Sequence, residues 1–239
     1  MSEAGDTDPE LIHHDERLLI VNKPPGLPTT GPSSVDPCLV RWVRDRVPGL
    51  RLHATSRLDS QVSGLVTFAL TRETNRHLLE ARRSGTYERV YLGITIHDLP
   101  DDEGEWVWPI SIDPRNPKRR VAGPGRGQRQ ARTGYQAAAR TGHATLLRLR
   151  PRTGRTHQLR VHAAKAGAPL FGDHAYQGER RKVLPDGTVV GARRVMLHCA
   201  RVSFPAPSGG SGMQFAAPVP PDMARIWLAL GGAASDLQA

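Results

Sequence analysis

Cysteine is almost missing from this 239-residue chain. Cys38 and Cys199 stand far apart, and no Cys-x-x-Cys pair exists. That excludes a disulfide framework and a cysteine zinc site, and it points to two reduced thiols in a cytoplasmic protein. Long apolar runs are missing too. No stretch approaches the roughly 18–20 residues that cross a bilayer. The opening MSEAGDTDPE is acidic and polar, unlike a signal peptide. The chain lacks Gly-x-x-x-x-Gly-Lys-Ser/Thr and Gly-x-Ser-x-Gly, so neither a phosphate-cradling loop nor a nucleophile elbow is present. GPGRGQ follows no predicted strand and carries little weight as a dinucleotide signal. Lysine is scarce as well: four residues against 29 arginines. An arginine-rich codon usage explains part of that bias. The formal net charge of +10 still asks for a polyanionic partner, nucleic acid first.

Residues 1–10 read as a disordered tail, and 11–239 as one domain. Leu18–Val21 reads as a strand halted by Asn-Lys-Pro-Pro-Gly. Leu39, Val40, Val43 and Val47 recur at helical spacing before Pro48-Gly49. Gly64–Leu70 reads as a buried strand. A helix follows over 71–85, capped by Thr71 or Thr74, with Leu78 and Leu79 inward and Gly85 at its end. Residues 86–96 alternate as a strand, 133–151 hold a strand pair, 157–167 a helix, and 193–204 another strand. A last helix over 222–230 would take Asp222 as its cap. The segment 113–132 is rich in Pro, Gly and Arg and nearly free of apolar residues, so it reads as a long basic loop that grips RNA. Without a regular βαβ rhythm, the class is α+β: a mixed, largely antiparallel sheet with flanking helices.

Three stretches carry candidate chemistry. In SRLDSQVSGLVTFAL, Asp59 is a lone acid beside Arg57, ahead of a Gly-led apolar run. An acid beside an arginine is usually a surface ion pair of little worth. Its place at the start of a core segment suggests the mouth of a site instead. In RPRTGRTHQLRVH, arginines and histidines crowd a turn and a helix start, an arrangement suited to anions. His157 and His162 are five apart and do not share a helix face, so no metal site is expected. In YERVYLG, Tyr87, Arg89 and Tyr91 alternate onto one strand face, where an aromatic ring packs in the core or stacks on a base. No second acid partners Asp59, which argues against a two-carboxylate glycosidase.

Taken in order, IVNKPPGL, RLDSQVSGLVTFA, YERVYLGI and TGRTHQLRVHAAKAGAPLFGDHAYQG resemble the RluA-type pseudouridine synthases across roughly residues 11–204. The resemblance implies the pseudouridine synthase fold with a central cleft, a catalytic domain without an S4-type RNA-binding domain, and isomerisation of uridine in RNA. It implies that Asp59 is the catalytic aspartate, that Tyr91 stacks on the target base, and that Arg160, or else Arg155, pairs with the acid. Lys118, Arg119 and Arg120 fall where relatives carry an RNA-clasping insertion. Arg57, Arg89, Arg155 and His157 are further candidates for RNA contacts. Three departures bear on RNA contact. Ser56 replaces a common His, DSQVSG replaces DRDTSG or DKDTSG, and Arg89 replaces Lys.

The implied chemistry breaks the N1–C1′ bond, rotates the base and joins C5 to C1′. The target nucleotide must leave its helix, at a cost of about a few kcal/mol offset by stacking and phosphate contacts. Asp59 would attack the sugar directly or abstract a ribose proton to give a glycal. Either role uses the charged carboxylate, which a guanidinium stabilises. The reaction needs no metal, nucleotide or redox cofactor. The expected partner is ribosomal or transfer RNA, and the expected state a monomer. The rivals are a non-catalytic RNA binder of the same fold and a base-releasing hydrolase.

Overall fold

The computed structural model describes residues 8–31, 36–49 and 52–238. The chain divides into two compact units. The first runs up to Tyr87 and takes back Arg201–Ala217; the second comprises Glu88–Ala200 and Pro218–Ala239.

The first unit opens with β1 (Glu10–His14) antiparallel to β2 (Leu18–Lys23). The expected tail falls on residues 1–7, outside the described residues, except at its end, where Glu10 already belongs to a strand. Helix α1 (Leu39–Arg46) buries Leu39 and Val43. The short β3 (His53–Ala54) and then β4 (Ser63–Ala69) follow, and β4 pairs antiparallel with both β2 and β3. Every residue of β4 is buried, so both its faces are covered, and the strand reads as a continuous apolar run rather than an alternation. Each large side chain sunk here, such as Leu65 or Phe68, contributes about 1.5–3 kcal/mol.

Helix α2 (Arg72–Ser84) begins at Thr71, whose hydroxyl accepts the Thr74 N–H at 3.1 Å, and ends at Gly85 with φ 81°. The left-handed end is why glycine stands there. Leu78 is fully buried but Leu79 is exposed, contrary to the expectation that both face inward. Neighbouring helical residues lie about 100° apart, and only one can point into a narrow seam.

The second unit contains β5 (Glu88–Thr95), β6 (Glu103–Trp106), β7 (Ile110–Ile112), β8 (Arg120–Ala122), β9 (Thr133–Arg140), β10 (Thr145–Pro151), α3 (Gln158–Lys165), β11 (Arg181–Val183) and β12 (Val189–Gly191). Strands β5, β10, β9 and β6 form successive antiparallel ladders, and β11 pairs with β12. Strand β13 (Leu197–Phe204) starts in this unit and finishes in the first, where it pairs with β14 (Met213–Ala216).

Helix α4 (Pro221–Ala229) returns to the second unit and drives Trp227 into a core of Leu92, Ile94, Leu146, Phe171 and Met196. Asp222 is not its cap, contrary to expectation. Pro220 holds the cap position, and Asp222 makes paired bonds of 2.7 and 2.9 Å with buried Arg194. Proline suits a helix start because the amide it lacks has no partner there anyway.

The basic segment 113–132 departs furthest from the expected loop. Its β8 pairs with β7 in an antiparallel hairpin, and Ala131 is buried beside Ile110, Val161 and Tyr176. Strands of three residues offer too few apolar positions for a period to show. The α+β class with antiparallel ladders and packed helices is the one observed.

Candidate active site

Asp59 is half-buried in the loop between β3 and β4. Loop 58–60 is held by the segment that follows β2. The Thr29 hydroxyl donates to the Leu58 carbonyl at 2.9 Å and accepts the Leu58 N–H at 3.0 Å. Ser60 exchanges two bonds with Gly26: its hydroxyl donates to the Gly26 carbonyl, and its own carbonyl accepts the Gly26 N–H, both at 2.8 Å. Lys23 is fully buried, and its ammonium donates to the carbonyls of Pro24, Leu27 and Ser60 at 2.7–3.2 Å. A buried ammonium is costly unless its donors are used, and here three carbonyls receive them. Gly26 takes φ 90°, which closes this turn. After Asp59, the Val62 N–H bonds back to the Asp59 carbonyl at 3.0 Å and turns the chain into β4. Arg57 is exposed.

In the second unit, Tyr91 lies buried on β5, opposite Leu149 of β10. Arg89, two residues earlier, is also buried. One of its Nη atoms donates to the carbonyls of Pro151 and Thr153 at 3.3 and 3.0 Å, which ties β5 to the turn before α3. In this structure Arg89 therefore braces that turn rather than offering a surface charge. Tyr87, at the end of the first unit, bonds Thr67 through its hydroxyl at 2.8 Å and stacks on Phe204, so it packs in the core.

Arg160 projects from the first turn of α3 and is buried. Its Nε and one Nη donate to the two carboxylate oxygens of Asp173, each at 2.7 Å. Paired donation of this kind fixes the guanidinium plane. The ring of Tyr176 faces the same guanidinium at 4.9 Å. Arg155 is half-buried and donates from Nε to the Gln130 carbonyl at 2.9 Å. His157 starts α3 with φ 57°, and its Nδ1 lies 2.6 Å from the Tyr176 hydroxyl. Lys118 and Arg119 are exposed on the basic hairpin. Arg120 is half-buried and donates to the carbonyls of Pro117 and Arg119 at 2.9 and 2.7 Å.

One side chain of α3 builds the turn that carries these arginines, and a second ties the helix to β9 and to the segment before β7. The Gln158 amide makes four bonds. Its oxygen accepts from the Thr153 hydroxyl (2.7 Å) and the Arg155 N–H (3.0 Å), and its nitrogen donates to the Arg132 carbonyl (2.9 Å) and the Thr133 hydroxyl (3.0 Å). His162 donates from Nε2 to the Trp108 carbonyl at 2.9 Å and accepts the Thr133 hydroxyl proton at Nδ1 over 3.0 Å. Burial holds its pKa below the ordinary value, which keeps the ring neutral. Among the described residues, no group of three or more His, Cys, Asp or Glu is gathered as metal ligands are.

Lys23, Thr29, Gln158, Asp173 and Tyr176 escaped the sequence reading. All lie inside the motif stretches or their flanks, but polar turn residues follow no period.

The geometry leaves a half-exposed carboxylate on a tightly zipped loop in one unit, and a braced guanidinium with a buried tyrosine in the other. Known proteins share this chain's pattern. Residues 17–165 match the family described as RNA pseudouridylate synthase. The dual-specificity RNA pseudouridine synthase RluA of Pasteurella multocida is 32% identical over 218 residues, 89% of this chain and 94% of that protein. The ribosomal large subunit pseudouridine synthase D of Xanthomonas campestris is 34% identical over 233 residues, 92% of this chain and 69% of that protein. The structure of human RNA pseudouridylate synthase domain containing 4 overlays with a TM-score of 0.74 at 24% identity, over 93% of each chain, and so shares the fold. No helix among the described residues is long and apolar enough to cross a membrane. The chain belongs to the RluA-type RNA pseudouridine synthases, enzymes that isomerise uridine within RNA.

Proposed function

We propose that Asp59 is the carboxylate that acts on the flipped-out uridine, that Tyr91 stacks on its base, and that Arg160 stabilises the charged acid. The carrying observation is the zipper of Lys23, Gly26 and Thr29 onto loop 58–60, which fixes the backbone on both sides of a carboxylate still reachable by solvent. A carboxylate held this way is oriented before substrate arrives, which saves the entropy of positioning it. The chemistry balances within the substrate. N1 leaves C1′, C5 joins C1′, the C5 proton is released, and N1 takes up a proton.

The substrate we propose is ribosomal or transfer RNA; the name of one relative states the ribosomal large subunit, and that of another dual specificity for RNA. Arg57, Arg155, His157, Lys118, Arg119 and Arg120 are proposed to meet its phosphates. Arg89 is kept in this set only through the turn that it braces. The reaction asks for no cofactor. We further propose a single catalytic domain acting as a monomer in the cytoplasm, a compartment that suits two buried cysteines kept as thiols.

The test uses ribosomal and transfer RNA transcribed with tritium at uridine C5. Wild type should release tritium without liberating uracil, and Asp59→Asn should bind the RNA but release none. Free uracil would replace the synthase reading with base removal. Equal tritium release by both proteins would remove Asp59 from its role.

A further inference from the structure

The turn 172–178 was part of a motif in the sequence, yet the reaction assigns it no task. In the structure it sits at a crossroads. Asp173 holds Arg160 by two bonds of 2.7 Å. Tyr176 lies in a short 3-10 turn (His174–Tyr176) and makes three different contacts. Its ring faces the Arg160 guanidinium at 4.9 Å. Its hydroxyl accepts the backbone N–H of Arg120 at 3.0 Å, at the first residue of β8 in the basic hairpin. The same hydroxyl bonds His157 Nδ1 at 2.6 Å, at the left-handed residue that opens α3. Around the ring, Ile110 of β7, Ala131 and Val161 of α3 form a small apolar cluster.

The turn itself is fixed at both ends. A Cβ on Gly172 or on Gly178 would collide with a backbone carbonyl, that of Arg194 or of Leu170, so no side chain fits at either position. A phenol with a buried ring and a shared hydroxyl is a poor choice for packing alone. Phenylalanine would fill the space without a polar atom to satisfy.

We propose that Tyr176 is a positioning residue, and that its hydroxyl ties the basic hairpin to the start of α3 so that phosphate binding by the hairpin and the placement of Arg160 are set together. The inference rests on the reading of Lys118 and Arg119 as RNA contacts and of Arg160 as the acid's partner. Tyr176→Phe keeps the ring over Arg160 and removes the hydroxyl's link to Arg120 and His157. It should raise KM and Kd for transcribed RNA about five- to tenfold, the size of one or two lost hydrogen bonds. Its kcat should fall too, because the hydroxyl that fixes the start of α3, and with it Arg160, is gone, whereas Lys118→Ala/Arg119→Ala should raise KM with kcat nearly unchanged.

A double-mutant cycle separates this from loosened packing. In a Lys118→Ala/Arg119→Ala background most of the hairpin's proposed grip is gone, so Tyr176→Phe should change Kd clearly less than it does in the wild type. Additive effects, or an unchanged Kd in Tyr176→Phe, would overturn the coupling alone. An unchanged Kd in Lys118→Ala/Arg119→Ala would instead remove the RNA role of the hairpin, and the coupling with it. Binding is measured alongside turnover, so the cycle gives its answer even for a variant with no activity.

Discussion

The loop around Asp59 and the turn around Arg160 solve the same problem in opposite ways. Both must hold one charged side chain still. At Asp59 the bracing acts on the backbone. Thr29, Gly26 and Lys23 grip Leu58 and Ser60, and the carboxylate stays half-exposed. At Arg160 the bracing acts on the charged group itself, through the paired bonds with Asp173, and the residue is buried. A group proposed to react has to be reachable by its substrate, and Asp59 is half-exposed. A group that only supplies charge can be locked, and locking keeps it aimed. The cost is that Arg160 depends on its carboxylate partner, because a buried charge without one is strongly destabilising.

This contrast predicts different consequences on each side, from large to small. Asp59→Asn should cut tritium release on the order of a thousandfold or more, as loss of a reacting carboxylate does, while thermal melting stays put. A lower melting point would mean that the loop needs the charge for stability, and the contrast would fail. Asp173→Asn should do the reverse. It should destabilise the fold by about 3–5 kcal/mol, seen as an earlier denaturant midpoint, because the buried Arg160 loses its compensating charge. Full stability in that variant would show that the pair is dispensable.

Thr29→Val should cost about 1–3 kcal/mol by leaving both backbone groups of Leu58 without their hydroxyl, and should lower turnover with it. Turnover unchanged at equal stability would uncouple the zipper from the acid.

The smallest effect is one of pH. His162 has a folded pKa lowered by burial from an ordinary value near 6.5, so below that value the unfolded chain takes up a proton that the folded one refuses. The stability it contributes is present above about pH 6.5 and fades as the pH falls. The melting temperature of the wild type should therefore drop more between neutral and mildly acidic buffer than that of His162→Gln. Equal slopes would show that burial of the neutral His162 ring adds no pH-dependent stability.

Much of the scaffold was legible beforehand. Strands β2, β4 and β5 and helices α2 and α3 announce themselves by apolar runs, alternation, the Thr71 cap and the Gly85 stop. The acid, the tyrosine and the arginine came from motif resemblance, and the structure adds what holds them. The bracing was illegible because its partners are remote: Thr29 meets Leu58 across 29 positions, and Arg120 meets Tyr176 across 56. The β7–β8 hairpin was hidden by its own composition, since three-residue strands interrupted by Arg, Pro and Gly look like an open loop. Leu79 shows the converse limit. A leucine at a helix edge is counted as core by pattern and lies outside it in space.

The return of Arg201–Ala217 to the first unit has a consequence for how the chain is made. Helix α2 and Tyr87 rest on partners from this late segment: His77 bonds the Pro205 carbonyl at 2.9 Å, and Tyr87 stacks on Phe204. A ribosome emits α2 and Tyr87 early, yet these partners of theirs emerge only after most of the other unit. Until Phe204 and Pro205 emerge, the nascent chain thus carries α2 and Tyr87 without these contacts, and a stall before that point leaves the first unit incomplete.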